Sequence, residues 1–146
     1  MHADGRLSHI IGGEAPTLAH ATEGLPFAHG HMSQVTASGS LMVFSNGEHD
    51  HRTEGSKVVE LVIDEPEGLV RTVASVPEPE QRFVGYLGDG RRLEGGHTLM
   101  VNPDHGIYEL DAVGAVVWEG HQDPEGRTNY NVGRVEPVAA LSPYGP

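Results

Sequence analysis

The chain has 146 residues, of which 37% are hydrophobic and 21% are charged, a composition that suits one globular domain and excludes a disordered tail. Its formal net charge of −12 disfavours nucleic acids and anionic membranes as partners, because like charges repel. Cysteine is absent, which excludes disulfides, thiolate metal sites and cysteine nucleophiles. No apolar run approaches the ~20 residues of a membrane span, and residues 1–13 do not have the pattern of a signal peptide, so the localisation stays open.

Short apolar runs separated by turn residues predict an all-β protein. In chain order, strands are predicted at residues 41–44, 58–63, 69–73, 98–101, 107–110 and 115–118. Turns are predicted at Asn46-Gly47, Glu67-Gly68 and Asp89-Gly90. The acidic stretch Glu78-Pro79-Glu80 is expected to be a solvated loop, and Trp118 is expected to pack inside the fold. Residues 137–141 are the best helix candidate, but the stretch is too short to be a stable helix.

The runs recur in the same order along the chain. Residues 39–43, 58–64 and 68–71 are echoed by residues 96–101, 107–111 and 114–118, and residues 4–8 echo the last piece alone. Repeats of roughly 40 to 50 residues with several strands each are typical of propeller blades. The sequence therefore predicts one segment, 1–146, of a partial β-propeller with about two and a half blades of four-stranded antiparallel sheet. The predicted pieces are an end strand at 1–13, one blade at 27–76, a last blade at 84–135 and a tail at 136–146.

Five stretches in order resemble the bacterial arylsulfotransferase family. They are residues 5–13 (GRLSHIIGG), 27–32 (FAHGHM), 39–47 (GSLMVFSNG), 88–99 (GDGRRLEGGHTL) with its following strands, and 130–135 (YNVGRV). The match covers almost the whole chain, but only the C-terminal part of that family's propeller. Gly30, Met32 and Ser45 stand where the family pattern has glutamine, aspartate and aspartate. In the family, the preceding blade supplies an H-x-N pair and an arginine that bind the sulfate. Neither of these two motifs occurs in this chain.

The resemblance implies transfer of a sulfuryl group from a phenolic sulfate ester to another phenol through a sulfated histidine, without a cofactor. His31 is at the position of that histidine. A neutral imidazole is a competent nucleophile near pH 7, because its unperturbed pKa is about 6.5. Cationic or N–H donors must hold the sulfonyl oxygens and the departing phenolate. Arg52 is expected to act with His31 in catalysis, and the candidate substrate-binding residues are His29, Asn46, Arg91 and His97.

Two alternatives stay open at this point. A partial propeller that lost the chemistry is a binding or assembly module, and because an incomplete ring leaves sheet edges open, a homo-oligomer or a second chain is expected to complete the propeller. The pairs His29 and His31, and His49 and His51, suit zinc, copper or nickel, although exposed histidines in polar loops are the favoured interpretation. No metal is therefore predicted, and the expected ligands are an aryl sulfate and a phenol.

Overall fold

The computed structural model describes residues 8–22, 27–48, 55–121 and 134–135. Within these ranges the chain forms two β-sheets and one short 3-10 helix, Glu94–Gly96. The first sheet contains β1 (Ala19–His20), β2 (Gly30–Val35), β3 (Leu41–Ser45), β4 (Lys57–Asp64) and β5 (Leu69–Pro77). The second sheet contains β6 (Asp89–Arg92), β7 (Thr98–Asn102), β8 (Gly106–Leu110) and β9 (Val116–His121). Among the described residues, no helix has the length and apolar composition to span a bilayer.

Within each sheet, consecutive strands lie side by side, except that β1 lies next to β5 instead of β2. The order is β1-β5-β4-β3-β2 in the first sheet and β6-β7-β8-β9 in the second, and every pair is antiparallel except β1 with β5. Turns join the neighbours: the Gly68 N–H donates to the Glu65 carbonyl at 3.2 Å, and the Gly114 N–H donates to the Asp111 carbonyl at 3.0 Å. The all-β prediction is confirmed, and the described sheets form an open pair.

The two sheets pack face to face around a shared hydrophobic core. Because side chains alternate along a strand, Met42 and Phe44 lie on one face of the first sheet and Val43 lies on the other. The face with Met42 and Phe44 meets the second sheet. The core between the sheets consists of Met42, Phe44, Val58, Val76, Val84, Met100, Tyr108 and Leu110, each at most 9% exposed. Burial of these apolar side chains is the main force that holds the sheets together.

A second core lies on the opposite face of the first sheet. Leu18, from the segment before β2, packs there with four strand residues, Val43, Val59, Leu61 and Val70. Ile11, Phe27 and Leu41 are partly buried against the same cluster. The first sheet is therefore covered on both faces, by the second sheet on one side and by the segment that precedes β2 on the other.

β2 is an edge strand of the first sheet and β6 is an edge strand of the second. The two strands lie where the sheets meet. The His31 Nδ1 contacts the Gly88 carbonyl at 3.0 Å, and the Gln34 Nε2 donates to the Gly90 carbonyl at 2.6 Å. Both contacts advance in the same sense along the two segments, so β2 and β6 run in the same direction. This junction of β2 and β6 places His31 between the two sheets.

Several expectations from the sequence differ from the structure. Asp89 and Gly90, predicted as a turn, begin β6, because pairing with Val101 and Met100 holds them extended. Glu78, expected in a solvated loop, is fully buried. The first sheet has five strands instead of four, and residues 8–13, the described part of the predicted end strand, form no strand. The helix candidate at 137–141 and most of the stretch 130–135 lie outside the described residues.

Candidate functional site

His31 is half-buried on β2, in register with Phe44 of β3. Its Nδ1 lies 3.0 Å from the Gly88 carbonyl oxygen. A carbonyl oxygen only accepts hydrogen bonds, so the Nδ1 must carry the proton. In the neutral ring this leaves the lone pair on Nε2, and within the described part of the chain no hydrogen-bond partner of that Nε2 is found. The geometry therefore presents His31 as a ring of fixed tautomer with Nε2 available as a base or nucleophile.

The backbone on both sides of this contact is strained. His29, Met32 and Leu87 have φ values of 47°, 46° and 53°, in the left-handed region that residues other than glycine rarely adopt. The pairing of β2 with β3 is also irregular between His31 and Gln34. Such conformations cost of order 1–3 kcal/mol each and persist where the surroundings impose them, which is common at functional sites. Of the four described residues other than glycine with a positive φ, these three are close in sequence to His31 or Gly88, and the fourth is Gln81.

Asn46 holds the segment that carries the Gly88 carbonyl. Its Nδ2 donates to the Val84 carbonyl at 2.8 Å and to the Leu87 carbonyl at 3.0 Å. The Ser56 hydroxyl donates to the Asn46 backbone carbonyl at 2.9 Å and accepts the Val84 N–H at 2.8 Å. Asn46 is 3% exposed and both N–H donors of its amide are engaged inside the protein. The structure thus places this predicted substrate-binding residue in the framework that supports the Gly88 segment.

Arg91 and His97 lie on the face of the second sheet that points away from the first. The Arg91 Nε donates to the Asp89 carboxylate at 3.2 Å, and the His97 Nδ1 lies 2.6 Å from the Glu109 carboxylate. Gly90 and Arg92, which alternate with Arg91, face the first sheet instead. The second sheet therefore separates these two predicted substrate-binding residues from His31, and the structure does not bring them together.

His29 and Arg52 are the two remaining predicted site residues. His29 is exposed just before β2, and its carbonyl accepts the Asn46 N–H at 3.5 Å. Arg52 and the pair His49 and His51 lie outside the described residues. Among the residues that the structure does describe, no three histidine, aspartate or glutamate side chains converge on a possible metal position.

A cleft of about 250 Å³ lies beside β2, on the face opposite the sheet junction. Gly30 and Met32, the two neighbours of His31 in sequence, both line it. The remaining wall is formed by Ile11, Phe27, Ser33, Leu41 and Val43. Among the described residues that line it, Ser33 supplies a side-chain hydroxyl and the other side chains are apolar.

The sequence pattern predicted His31 as a candidate nucleophile but did not indicate the group that orients it. Gly88 acts through its carbonyl, which every residue has, so no residue type marks it. Leu87 and Met32 also gave no signal, because nothing in either residue type indicates a left-handed backbone. No family model, no curated protein and no solved structure matches this chain, so its site is characterised by its own geometry alone.

Proposed function

We propose that this protein transfers a sulfuryl group from a phenolic sulfate ester to another phenol, with the His31 Nε2 as the nucleophile. The observation that carries the proposal is the hydrogen bond from the His31 Nδ1 to the Gly88 carbonyl. It fixes the tautomer in which the Nε2 has a free lone pair, and it can stabilise the positive charge that the ring acquires in the reaction.

The reaction has two halves. In the first, the Nε2 lone pair forms an N–S bond while the S–O bond to the aryl oxygen breaks, and that oxygen leaves with the electron pair as a phenolate. The ring is then an N-sulfo imidazolium whose Nδ1 proton still bonds to the Gly88 carbonyl. In the second half, the oxygen of the acceptor phenol attacks sulfur and the N–S electron pair returns to Nε2. The proton released by the acceptor balances the one taken up by the departing phenolate. Like phosphoryl transfer, such a reaction depends on positioning and charge stabilisation.

The strand arrangement supports a propeller-like architecture for this activity. Apart from β1, each sheet is a run of consecutive antiparallel strands, and β2 and β6 meet as parallel neighbours at the sheet junction. Inner strands of adjacent propeller blades have this relation, and His31 lies on such a strand. We therefore propose that the two described sheets are blades of a partial propeller, with His31 on an inner strand.

The cleft beside β2 does not contribute to this proposal, because it lies on the face of the first sheet opposite His31. The proposal assigns the sulfonyl oxygens to Arg52, on its position in the sequence, since Arg91 and His97 bond to carboxylates on the far face of the second sheet.

Covalent labelling tests the proposal. The protein is incubated with 4-nitrophenyl sulfate, and its intact mass is measured under alkaline conditions, which preserve sulfated histidine. We expect a gain of one sulfo group in the wild type and in His20→Ala, and no gain in His31→Ala. His20 is a matched control because both of its ring nitrogens contact threonine oxygens. A wild type that stays unmodified, or a gain that persists in His31→Ala, contradicts the proposal.

A second candidate function, an assembly module, is favoured by the surface around β9. This strand is the outer edge of the second sheet among the described strands, and Val116, Val117 and Trp118 are 41%, 52% and 52% exposed. The expectation that Trp118 packs inside the fold is therefore wrong. Apolar edge strands invite pairing with another chain. Light scattering after gel filtration tests this: Val117→Lys should lower the association of the wild type, whereas Val73→Lys, on β5, should not. A wild-type monomer excludes this candidate.

A further inference from the structure

Asn46 is connected to the His31 ring through a short chain of contacts. Its side-chain amide binds the carbonyls of Val84 and Leu87, and the next carbonyl along the chain, that of Gly88, accepts from the His31 Nδ1. From these contacts we infer that Asn46 is a positioning residue, which keeps His31 in the tautomer with a free Nε2. The effect of Asn46 on sulfuryl transfer rests on the proposed function, whereas its effect on the His31 tautomer does not.

An amide is the side chain that this position requires. Two carbonyl oxygens converge on the Asn46 Nδ2, so the group between them must offer two N–H donors. An aspartate of the same shape would instead set carboxylate oxygens against both carbonyls. The buried Ser56 hydroxyl donates to the Asn46 backbone carbonyl, and this bond helps to fix the position of the side-chain amide.

The hydrogen bond from Asn46 helps to keep the Leu87 backbone in its strained conformation. Leu87 has a φ of 53°, and the Asn46 Nδ2 binds the carbonyl of this same residue. Without that bond, Leu87 is free to relax towards the ordinary negative φ region, and the Gly88 peptide turns with it. The His31 Nδ1 then loses its acceptor, and both tautomers of the neutral ring become populated.

Nuclear magnetic resonance of the histidine ring nitrogens measures this directly. At a pH above the histidine titration range, the wild type should show His31 with Nδ1 protonated and Nε2 unprotonated. Asn46→Asp and Asn46→Ala should show a mixture of tautomers. Val59→Ala is the matched control, because it weakens the core on the other face of the first sheet and should leave the His31 tautomer unchanged. A wild-type ring protonated on Nε2 overturns the inference even where an Asn46 variant fails to fold.

The labelling rate separates this inference from the proposed function. We expect Asn46→Ala to acquire the sulfo group about 100-fold more slowly than the wild type, since misplacing a reacting group has effects of that size. Tautomer mixing in Asn46→Ala, with no labelling of any protein, upholds the inference and sinks the proposed function. Normal labelling of Asn46→Ala with an unchanged tautomer sinks the inference and leaves the proposed function standing.

Discussion

Two glycines lie where β6 crosses the core of the first sheet. A Cβ added at Gly88 would come closer than 3.0 Å to the Phe44 ring, and one added at Gly90 would come equally close to Val58. Gly88 also has a φ of 92°, so it combines a left-handed backbone with a crowded position. The backbone at Gly88 and Gly90 can lie this close to the Phe44 and Val58 side chains because neither glycine has a side chain.

Alanine at these positions separates crowding from backbone strain. Gly90→Ala should cost about 1–3 kcal/mol of unfolding free energy through overpacking alone. Gly95→Ala should cost about 1–2 kcal/mol through strain alone, since Gly95 has a φ of 80° and open space around it. Gly88→Ala combines both effects and should be the least stable of the three. Urea denaturation measures the order, and a neutral Gly90→Ala would mean that the sheets pack less closely than described.

His31 shows how far residue patterns reach at this scale. The stretch that contains it predicted a candidate nucleophile, because imidazole chemistry is a property of the residue itself. Its partner Gly88 is 57 positions away and acts through its backbone, so only the fold identifies it. Arg91 was predicted beside the substrate, but once β6 is a strand its side chain must point opposite to that of Arg92.

Between elements, the pair of Glu60 on β4 and Arg92 on β6 links the two sheets. The Arg92 guanidinium donates to the Glu60 carboxylate and also to the Gly96 carbonyl and the Thr98 hydroxyl. The Ser40 hydroxyl donates to the same carboxylate at 2.5 Å. Burial pushes the pKa of Glu60 upwards, but the hydrogen bonds from Ser40 and Arg92 and the charge of Arg92 outweigh it, so the pKa lies below its ordinary value.

This pair should make stability depend on pH. A carboxyl whose pKa is lower in the folded state stabilises the protein above its unfolded pKa of about 4.5, and that contribution is lost as the pH falls through the folded value. Glu60→Gln should therefore be less stable than the wild type by roughly 1.5–3 kcal/mol at pH 7. The difference should shrink below about pH 4.5. Urea titrations of both proteins from pH 7 to pH 3 test this, and a difference that is constant with pH contradicts it.

The segment between β5 and β6 contains a buried carboxylate, Glu78. One oxygen accepts the N–H groups of Glu80 and Arg82 at 2.9 Å and 2.8 Å, and the other accepts the Asn102 side-chain amide at 3.0 Å. This carboxylate gives the segment its shape and ties it to β7. Acidic residues beside a proline suggested a solvated loop, since a sequence alone does not show that donors from three other residues converge on one side chain.

Replacing Glu78 should therefore be far more damaging than replacing its neighbour. In Glu78→Gln the new amide N–H groups face donors that they cannot bind, and removing one member of a buried ionic network costs roughly 3–5 kcal/mol. Glu80→Gln is the matched control, because the Glu80 side chain is 67% exposed, and its midpoint of unfolding should stay unchanged. Equal effects of the two substitutions in thermal unfolding would exclude this role for Glu78.

Some of the strands have a local sequence pattern that predicts them, and others do not. All six predicted strands are present, because alternating β-branched and apolar residues mark them. β6 has the sequence Asp-Gly-Arg-Arg, which is typical of a turn, and it is extended only because β7 pairs with it and the first sheet packs against it. Tertiary contacts of this kind override local preference.

At the scale of the molecule, the two described sheets share one hydrophobic core between them. The cluster between them takes Met42 and Phe44 from the first sheet and Met100, Tyr108 and Leu110 from the second. The Glu60–Arg92 pair and the two contacts between β2 and β6 cross the same boundary. Separating the sheets would expose all of these groups to water at once, so we expect the sheets to unfold together.

Hydrogen exchange after a cavity substitution tests this cooperativity. Met100 is fully buried on β7, and Met100→Ala should cost about 2–5 kcal/mol. Because the sheets share their core, amides of β3 and β4 should lose as much protection as amides of β7 and β8, although the substitution lies in the second sheet. Val117→Ala, at an exposed position on β9, should leave protection in both sheets unchanged. Loss of protection confined to residues 89–121 would show that the second sheet opens alone, and His31 would then lose its partner Gly88 in ordinary fluctuations of the native state.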